Sequence, residues 1–380
     1  MRPIALTGCL FLLAAAKADE PGTPAEKFQA LVKAQQKAQQ DFSDAHQAAK
    51  TDADREKVSK ELGRQSMPES HAKEFLALMK AHPRDPVALD ALRWLITRTA
   101  YSPEAGQAVE IALRDWIDDV RLKRVCELSP YHNPAIDRLL RGAIEKSPHR
   151  EVQGAAHFSL AQSLRASMER LADHPAAERE PLEREADRLL QKVIDRYADL
   201  KHFTTLGEEA ERLRFELRHL GIGKTPPDIE GEDLDGRKLK LSDYRGKVTL
   251  VVFWAGWCGP CMGDVPHERD LLKQYAGKPF AIVGINGDKD RAAGKAVAEK
   301  AEIPWRSFAD CERGNGPIVR RWNVGGWPTL YLLDGNGVIR YKGDFLRSVS
   351  ARAGKDGKWV QYSFLDDAVE LLMKEAEKRP

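Results

Sequence analysis

Cysteines, aromatic residues and long apolar runs are all scarce in this sequence of 380 residues. Five cysteines are too few for a small fold held together by disulfides. Lysine and arginine number 60 against 58 aspartates and glutamates, so there is no basic excess of the kind that binds nucleic acid. The longest uncharged apolar run, residues 4–16, is shorter than the about 20 residues that span a bilayer. The remaining composition, 42% hydrophobic and 31% charged, is that of a globular protein with room for two or three domains.

The apolar run near the N-terminus has the pattern of an export signal. Arg2 supplies a positive charge before it, and Ala16-Lys17-Ala18 supplies the small residues of a cleavage site. We therefore expect a signal peptide over residues 1–18 and a mature protein in the periplasm or cell envelope of a bacterium. A buried N-terminal helix is one alternative. Another is a lipoprotein signal ending at Cys9, the only case in which we expect attachment to a membrane.

Residues 19–220 have the composition of helices. They are rich in alanine, leucine, glutamate, arginine and lysine, and prolines divide them into segments of helix length. The clearest helix is predicted over 206–220. Segments 83–95 and 148–160 share a spaced pattern of proline and apolar residues, which suggests an α-solenoid, although so short a match leaves chance coincidence open. We predict an all-helical domain of unknown role.

The sequence changes character after residues 221–231, where three glycines and two prolines predict a linker. Strand-like apolar runs at 247–254 and 280–285 alternate with helical stretches at 259–276 and 288–302. Two more strand-like runs flank Asp-Gly-Asn-Gly at 334–337, a hairpin signal, and a final helix is predicted over 363–378. Residues 232–380 should therefore form an α/β domain with a mixed sheet covered by helices.

Cys258 and Cys261 form a Cys-Gly-Pro-Cys motif between a predicted strand and a predicted helix. Cysteines three apart at a helix N-terminus can reach disulfide distance, and the positive end of the helix dipole should lower the pKa of Cys258. We expect Cys258 to attack disulfides and Cys261 to resolve the mixed disulfide. Gly259 and Pro260 suit the tight turn. No second Cys-x-x-Cys or close histidine pair accompanies the motif, so we expect no metal, and a purely structural disulfide would constrain too small a loop.

The motif and its surroundings resemble the exported TlpA/ResA-type thiol-disulfide oxidoreductases of the thioredoxin-like superfamily. The matching segments are 227–229, 234–236, 241–247, 253–258, 265–266 and 326–330. The resemblance covers residues 222–380, and the helical region before it resembles no family we recognise. It implies a thioredoxin-like fold, no cofactor, disulfide-containing exported proteins as substrates, and an upstream thiol protein as electron donor. Gly-Pro between the cysteines is more similar to reducing members, so we expect a disulfide reductase.

The resemblance also assigns roles around the motif. Pro328 matches the proline with a cis peptide bond that faces the disulfide in this fold. Substrate contacts are implied for five residues: Trp257, Gly259, Pro260, Trp327 and Pro328. Val252 occupies the position of the buried aspartate of thioredoxins, whereas Asp264 matches an acidic residue of the exported subfamily. We expect Asp264 to accept the proton of Cys261; an exposed aspartate favoured by the helix dipole is the alternative.

Several alternatives remain open from the sequence. The helical region could recruit partners, with the second domain as a redox-linked adaptor or scaffold. A thiol peroxidase shares the fold, but Cys258 lacks the preceding proline and hydroxyl pattern of peroxidases. Cys126 and Cys311 could pair with each other or remain as small buried thiols. Residues 344–362 are interpreted as an inserted loop.

Overall fold

The computed structural model describes residues 22–127, 133–171, 174–347, 349–353 and 359–378. The predicted signal peptide and Cys9 lie outside these residues. The chain divides into two compact units, Met1–Ser163 and Leu164–Pro380. Within the described ranges, no helix has the length and apolar character needed to cross a membrane.

The first unit is helical, as the composition predicts. Its helices are α1 (Pro24–Ala48), α2 (Asp52–Ser66), α3 (Ala72–Ala81), α4 (Pro86–Arg98), α5 (Pro103–Asp115), α6 (Lys123–Cys126) and α7 (Pro134–Lys146), and α8 (Arg150–Arg170) begins in it. Short 3-10 turns cover Pro68–His71 and Val120–Leu122. Prolines begin α1, α4, α5 and α7, where the missing N–H would have no helical partner. Side chains such as Ser102 and Asn133 cap these starts by accepting backbone N–H groups.

Two helices of the predicted helical region belong to the second unit. They are α9 (Ala176–Arg196) and α10 (Leu206–His219), and the division between the units falls inside α8. Thr205 begins α10 with a reciprocal capping box to Glu208, and the predicted helix over 206–220 is confirmed. Residues 221–231, the predicted domain boundary, therefore lie within one compact unit. Independent folding of 222–380 stays a prediction.

A mixed five-stranded sheet forms the centre of the second unit. The strands of this unit are β1 (Glu230–Glu232), β2 (Lys238–Lys240), β3 (Val248–Trp254), β4 (Phe280–Asn286), β5 (Ser307–Ala309), β6 (Thr329–Leu333), β7 (Ile339–Lys342), β8 (Val349–Ala353) and β9 (Trp359–Ser363). The sheet order is β5-β4-β3-β6-β7, with β4 parallel to β3 and β5, and β6 antiparallel to β3 and β7. Its helices are α11 (Gly259–Gln274), α12 (Arg291–Lys300), α13 (Pro317–Arg321) and α14 (Phe364–Glu377). The predicted α/β architecture is thus confirmed.

Short elements complete the second unit. Strands β1 and β2 form one small hairpin, and β8 and β9 form another. The β8–β9 hairpin and a 3-10 turn, Asp344–Arg347, occupy the region interpreted from the sequence as an inserted loop. A further 3-10 turn covers Leu241–Tyr244.

The predicted linker is irregular up to β1, but it is bonded to the sheet. The Gly223 N–H donates to the Ile339 carbonyl at 2.7 Å, and the Ile339 N–H donates to the Lys224 carbonyl at 2.9 Å. The linker backbone therefore lies along β7, and only a glycine adopts the positive φ of 86° at position 223 without strain.

A cluster of charged groups is buried where α8 and α10 pack against β7. The Lys342 ammonium lies 2.6 Å from Glu216 and 3.3 Å from Glu169. Arg165 pairs with the same two carboxylates at 3.3 Å and 2.5 Å. The Asn323 amide also donates to Glu216 at 2.8 Å. Burial by itself would raise the pKa of Glu216, but Lys342 and Arg165 outweigh it and lower the pKa to about 2. Glu216 is therefore an ionised group of the core, bonded to two cations.

Candidate active site

The central strand of the sheet leads directly into the cysteine motif. All seven residues of β3 are buried, as expected of a strand with a neighbour on each side. The chain leaves β3 at Trp254, and α11 begins at Gly259 with Cys258 at its N-cap position. Pro260 falls in the first turn of α11, where it leaves no helical hydrogen bond broken. The predicted strand-to-helix setting of the motif is confirmed.

Cys258 and Cys261 form a disulfide with their Cα atoms 5.3 Å apart. The backbone N–H of Cys261 donates to the sulfur of Cys258 at 3.1 Å. Both side chains are buried in a hydrophobic cluster with residues of β3, α11 and α14. A sulfur that accepts a backbone N–H at a helix N-terminus is where negative charge is stabilised. The arrangement suits a thiolate on Cys258 after reduction.

A buried polar pair holds the turn before the cysteines. The backbone N–H of Gly256 donates to the carboxylate of Asp288 at 3.1 Å, and the Asn286 side chain donates to the same carboxylate at 2.8 Å. Both residues are buried; Asn286 is the last residue of β4, and Asp288 follows two positions later. A Cβ atom on Gly256 would lie 2.6 Å from Val297 of α12, so this position requires glycine. The sequence interpretation missed Asn286 and Asp288, although polar residues following a buried strand were a usable signal.

Two tryptophans flank the disulfide. Trp257 is 55% exposed, and its ring packs edge-on against Trp327, with centroids 5.3 Å apart. Trp327 also packs against the hydrophobic cluster that contains both cysteines, and the Trp327–Pro328 peptide is cis, as the resemblance implied. The structure thus brings the cysteines, Trp257 and Trp327 together, with exposed Gly259 and Pro260 at the start of α11. An aromatic surface adjoins the reactive group.

Asp264 lies one turn after Cys261 on α11. Its carboxylate is paired with the Arg347 guanidinium, with an Nε–Oδ2 distance of 2.7 Å. The two side chains are 30% and 31% exposed, so the pair is neither deeply buried nor fully solvated. Asp264 therefore has Arg347 as an ion-pair partner. Neither of the two expectations from the sequence included such a partner.

The buried acid on this helix is Glu268, which the sequence interpretation missed. It is 3% exposed, and the described residues offer its carboxyl group no hydrogen bond or ion pair within bonding distance. Burial raises the pKa of Glu268 to about 8; the Asp264 carboxylate adds to this, and Arg347 opposes it. A glutamate seven residues after Cys261, on the same helical face, was a signal in the sequence that hydrophobic periodicity could have singled out.

The two remaining described cysteines are free thiols. Cys126 is buried at the end of α6, and burial, with Glu127 nearby, raises its pKa to about 12. Cys311 is partly exposed, and burial also raises its pKa. Neither is therefore an activated thiol, and the pairing considered from the sequence is not formed.

Comparison with known proteins agrees with this site. The AhpC/TSA family model matches residues 222–342. Over 135 residues the chain is 36% identical to the thioredoxin-like protein YneN of Bacillus subtilis, covering 33% of this chain and 74% of that protein. It is 31% identical over 125 residues to the thiol-disulfide oxidoreductase ResA of Geobacillus kaustophilus, covering 33% of this chain and 70% of ResA.

The thioredoxin domain of a thiol-disulfide oxidoreductase from Bacteroides vulgatus matches with 23% identity and a TM-score of 0.32, covering 40% of this chain and 98% of that one. The two relatives by sequence, YneN and ResA, each exceed 30% identity over more than two thirds of their length. With a buried Cys-x-x-Cys disulfide at a helix N-terminus and a thioredoxin-like sheet, the chain belongs to the family of thioredoxin-like thiol-disulfide oxidoreductases that includes ResA.

Proposed function

We propose that this oxidoreductase reduces disulfides of exported proteins, with Cys258 as the attacking thiolate and Cys261 as the resolving thiol. One observation carries the assignment: the sulfur of Cys258 accepts the Cys261 N–H at the N-terminus of α11. A thiolate at that position is stabilised by the helix dipole and a backbone donor. Cys261 lies within the first turn of α11, so it does not occupy the N-cap position that stabilises a thiolate on Cys258.

The proposed reaction consists of two thiol–disulfide exchanges. The Cys258 thiolate attacks one sulfur of the substrate disulfide, that bond breaks, and the other substrate sulfur leaves as a thiolate. Cys261 then loses its proton and attacks the sulfur of Cys258. The substrate sulfur that was bonded to Cys258 leaves with the electron pair of that bond and is protonated. The substrate has gained two electrons, and the Cys258–Cys261 disulfide is restored to the dithiol by a donor thiol protein.

The residues around the motif suit contact with a protein substrate. Trp257 and Trp327 provide apolar area beside the disulfide, and aromatic side chains bind at little cost in conformational entropy. Gly259 and Pro260 leave the start of α11 accessible, since no atom lies within 4 Å of a Cβ placed on Gly259. With Pro328, these residues are the proposed substrate-binding surface.

Asp264 is proposed to accept the proton of Cys261 during resolution. It is one helical turn away, and Val252 offers no acid beneath the cysteines. The Arg347 guanidinium, 2.7 Å from the carboxylate, holds it beside the motif. Because the carboxylate is already bonded to Arg347, we expect Asp264 to contribute modestly.

Export and domain organisation are part of the same proposal. The pattern in residues 1–18 supports secretion, and an oxidising compartment supplies protein disulfides as substrates. The proposed organisation has a helical region over 19–220, a linker over 221–231 and a thioredoxin-like domain over 232–380. The role of the helical region is not assigned.

A trapping experiment tests this function. In Cys261→Ala, the mixed disulfide between Cys258 and its substrate cannot be resolved, so exported proteins should accumulate on Cys258 and be identified after reduction. Cys258→Ala is the matched control and should trap nothing. If both variants trap the same proteins, or neither does, the roles of the two cysteines are wrong.

Two parallel measurements separate the alternatives. Reduction of insulin disulfides by the wild-type protein supports a reductase, whereas consumption of peroxide without disulfide reduction supports a thiol peroxidase. Partners that bind equally to the wild-type protein and to Cys258→Ala support an adaptor. Alkylation of reduced protein across pH should reach half-maximal rate at lower pH for Cys258 than for Cys261, with buried Cys126 unreactive.

A further inference from the structure

Glu268 is the buried titratable group of the active-site helix that the mechanism above does not use. It lies in α11, seven residues after Cys261 and three residues after Val265. Those spacings place the three side chains on one face of the helix. With Leu271 they are the buried residues of α11, and Cys261, Val265 and Leu271 belong to the hydrophobic cluster around the disulfide.

The distance between the two groups is short enough for one to affect the ionisation of the other. Seven residues correspond to about 10 Å along a helix axis, and a glutamate side chain leans toward the helix N-terminus. The carboxyl group therefore lies nearer to Cys261 than its Cα atom does. Water is largely excluded along this face, because Glu268 is 3% and Cys261 2% exposed. Charges separated by apolar groups are screened much less than charges in water.

The charged groups that act on Glu268 are few. Asp264 faces it from one turn earlier on α11, and Arg347 faces it from the 3-10 turn Asp344–Arg347. These two form an ion pair with each other, so their charges largely cancel. The pairs that α11 makes with other elements, His267 with Asp366 of α14 and Arg269 with Glu302, include partners that are 46% and 80% exposed. Its internal pair, Lys273 with Asp270, is 76% and 71% exposed. Strand β4, packed on the same helix, is buried throughout and carries no ionisable side chain.

From this arrangement we propose that Glu268 is a positioning residue for the resolving step, and that it must be un-ionised for Cys261 to lose its proton and attack. The inference rests on the proposed roles of Cys258 and Cys261. A neutral carboxyl leaves the thiol undisturbed. An ionised carboxylate places an uncompensated negative charge on the same buried helix face and opposes formation of the Cys261 thiolate. Burial keeps the neutral form dominant at neutral pH, because it raises the pKa of Glu268.

The predicted effect acts against ordinary thiol chemistry. Resolution by an isolated thiol becomes faster as pH rises, because more thiolate forms. Here ionisation of Glu268 should make resolution in the alkaline range slower than it is with a neutral side chain at this position. For charges about 8 Å apart at an effective dielectric constant of about 20, the expected loss on full ionisation of Glu268 is about thirtyfold. The first attack by Cys258 should be affected less, since Cys258 is at the N-terminal end of the helix, farther from Glu268.

The test measures both steps in the full-length protein across pH 6 to 9 by stopped flow with a small disulfide probe. Glu268→Gln keeps the shape of the neutral carboxyl and cannot ionise. The ratio of its resolving rate to the wild-type rate should be near one at pH 6 and rise to about ten at pH 9. Glu299→Gln, on exposed α12, is the matched control and should give a ratio that does not change with pH. Should Glu268→Gln fold poorly, Glu268→Met provides the same uncharged comparison.

Spectroscopy provides a measurement that a packing role would not change. The infrared band of a protonated carboxyl should be present in the wild-type protein at pH 7, disappear toward pH 9 and be absent from Glu268→Gln. A rate ratio that stays constant with pH, or a carboxyl already ionised at pH 7, overturns the role of Glu268. Failure to form any mixed disulfide on Cys258 would instead overturn the proposed function, so the two failures are distinguishable.

Discussion

Glu216 and Glu268 are both buried glutamates in helices of the second unit, but they differ in charge. They are 8% and 3% exposed. Glu216 lies 2.6 Å from the Lys342 ammonium, and its pKa falls to about 2 in spite of burial. Glu268 has no cation at bonding distance among the described residues, and burial raises its pKa to about 8. At neutral pH the first is ionised and the second is protonated.

The comparison shows that burial does not decide the charge of a carboxyl group; the nearest cation does. A buried carboxylate is stable only when its lost hydration is replaced by ion pairs and hydrogen bonds. Glu216 has Lys342, Arg165 and Asn323. The cation nearest to Glu268, Arg347, is bonded to Asp264 instead. Glu216 is therefore suited to holding the unit together, and Glu268 to responding to pH.

The largest effect is expected from removing the cation of Glu216. Lys342→Met leaves Arg165 as the only cation paired with Glu216 and Glu169 among the described residues, and breaking one side of a buried ion pair costs about 3–5 kcal/mol. The free energy of unfolding, measured with denaturant, should fall by that amount. Adding Glu216→Gln to Lys342→Met should recover part of the loss. Lys238→Met, on exposed β2, is the control, and a loss below about 1 kcal/mol for Lys342→Met would show that the pair is not buried in solution.

Truncation tests whether α8 to α10 are part of the thioredoxin-like unit. The predicted boundary implies that a protein beginning at Gly221 folds and reduces disulfides. The ion cluster implies that it is less stable than one beginning at Arg150, by about 3 kcal/mol or more, because Lys342 loses both carboxylates. Lys342→Met should then destabilise the longer protein and stabilise the shorter one. The same sign in both would contradict a structural role for the cluster.

The pH dependence of stability should differ in direction for the two glutamates. For Glu268 the folded pKa is raised, so its full contribution is present below about pH 4.5 and is lost as pH rises through about 8. Between pH 5.5 and 7.5 the loss should be about 2.5 kcal/mol, and Glu268→Gln should abolish it. For Glu216 the folded pKa is lowered, so stability is present above pH 4.5 and is lost as pH falls through about 2. Unfolding curves at a series of pH values measure both slopes, and parallel curves for wild type and Glu268→Gln would exclude the neutral form.

The smallest of these effects concerns Asp264, whose charge is compensated by Arg347. Asp264→Asn should slow resolution of the mixed disulfide by at most about a hundredfold, the low end for general-base contributions. Alkylation of Cys258 should change little, because the first attack needs no proton acceptor. Asp270→Asn, an exposed position on the same helix, is the control. Resolution at the wild-type rate in Asp264→Asn would leave water as the acceptor.

Prediction from the sequence succeeded where long, patterned segments carry the fold. The seven buried residues of β3, the hairpin around 334–337 and the helix after the cysteines each have a local signal in composition or periodicity. Strands β1, β2 and β5 have three residues each, too few for any period to be recognised. The first unit's helices were predicted as a class, because proline and capping residues mark their starts.

Contacts between distant residues could not be predicted in this way. Glu216 and Lys342 are 126 positions apart, and no local pattern connects them. The linker composition at 221–231 correctly indicated irregular backbone, but composition does not reveal that this backbone is bonded to β7. At the site, the motif identified Cys258 and Cys261, whereas the charge state of Glu268 depends on which neighbours the fold brings within reach. The reactive cysteines were thus easier to predict from the sequence than the charge state of the groups around them.

The two hydrogen bonds between the linker and Ile339 have a consequence for solubility. β7 is an edge strand, and unpaired backbone groups on such a strand recruit strands of other molecules. Gly223 and Lys224 occupy part of that edge. At the opposite edge, β5 is only three residues long, and the Leu234 N–H donates to its Ser307 carbonyl. A protein that begins at residue 232 would lack Gly223 and Lys224, uncover the β7 edge and offer it to a second copy. Aggregation, independently of stability, would therefore follow from a start placed nine residues after Gly223.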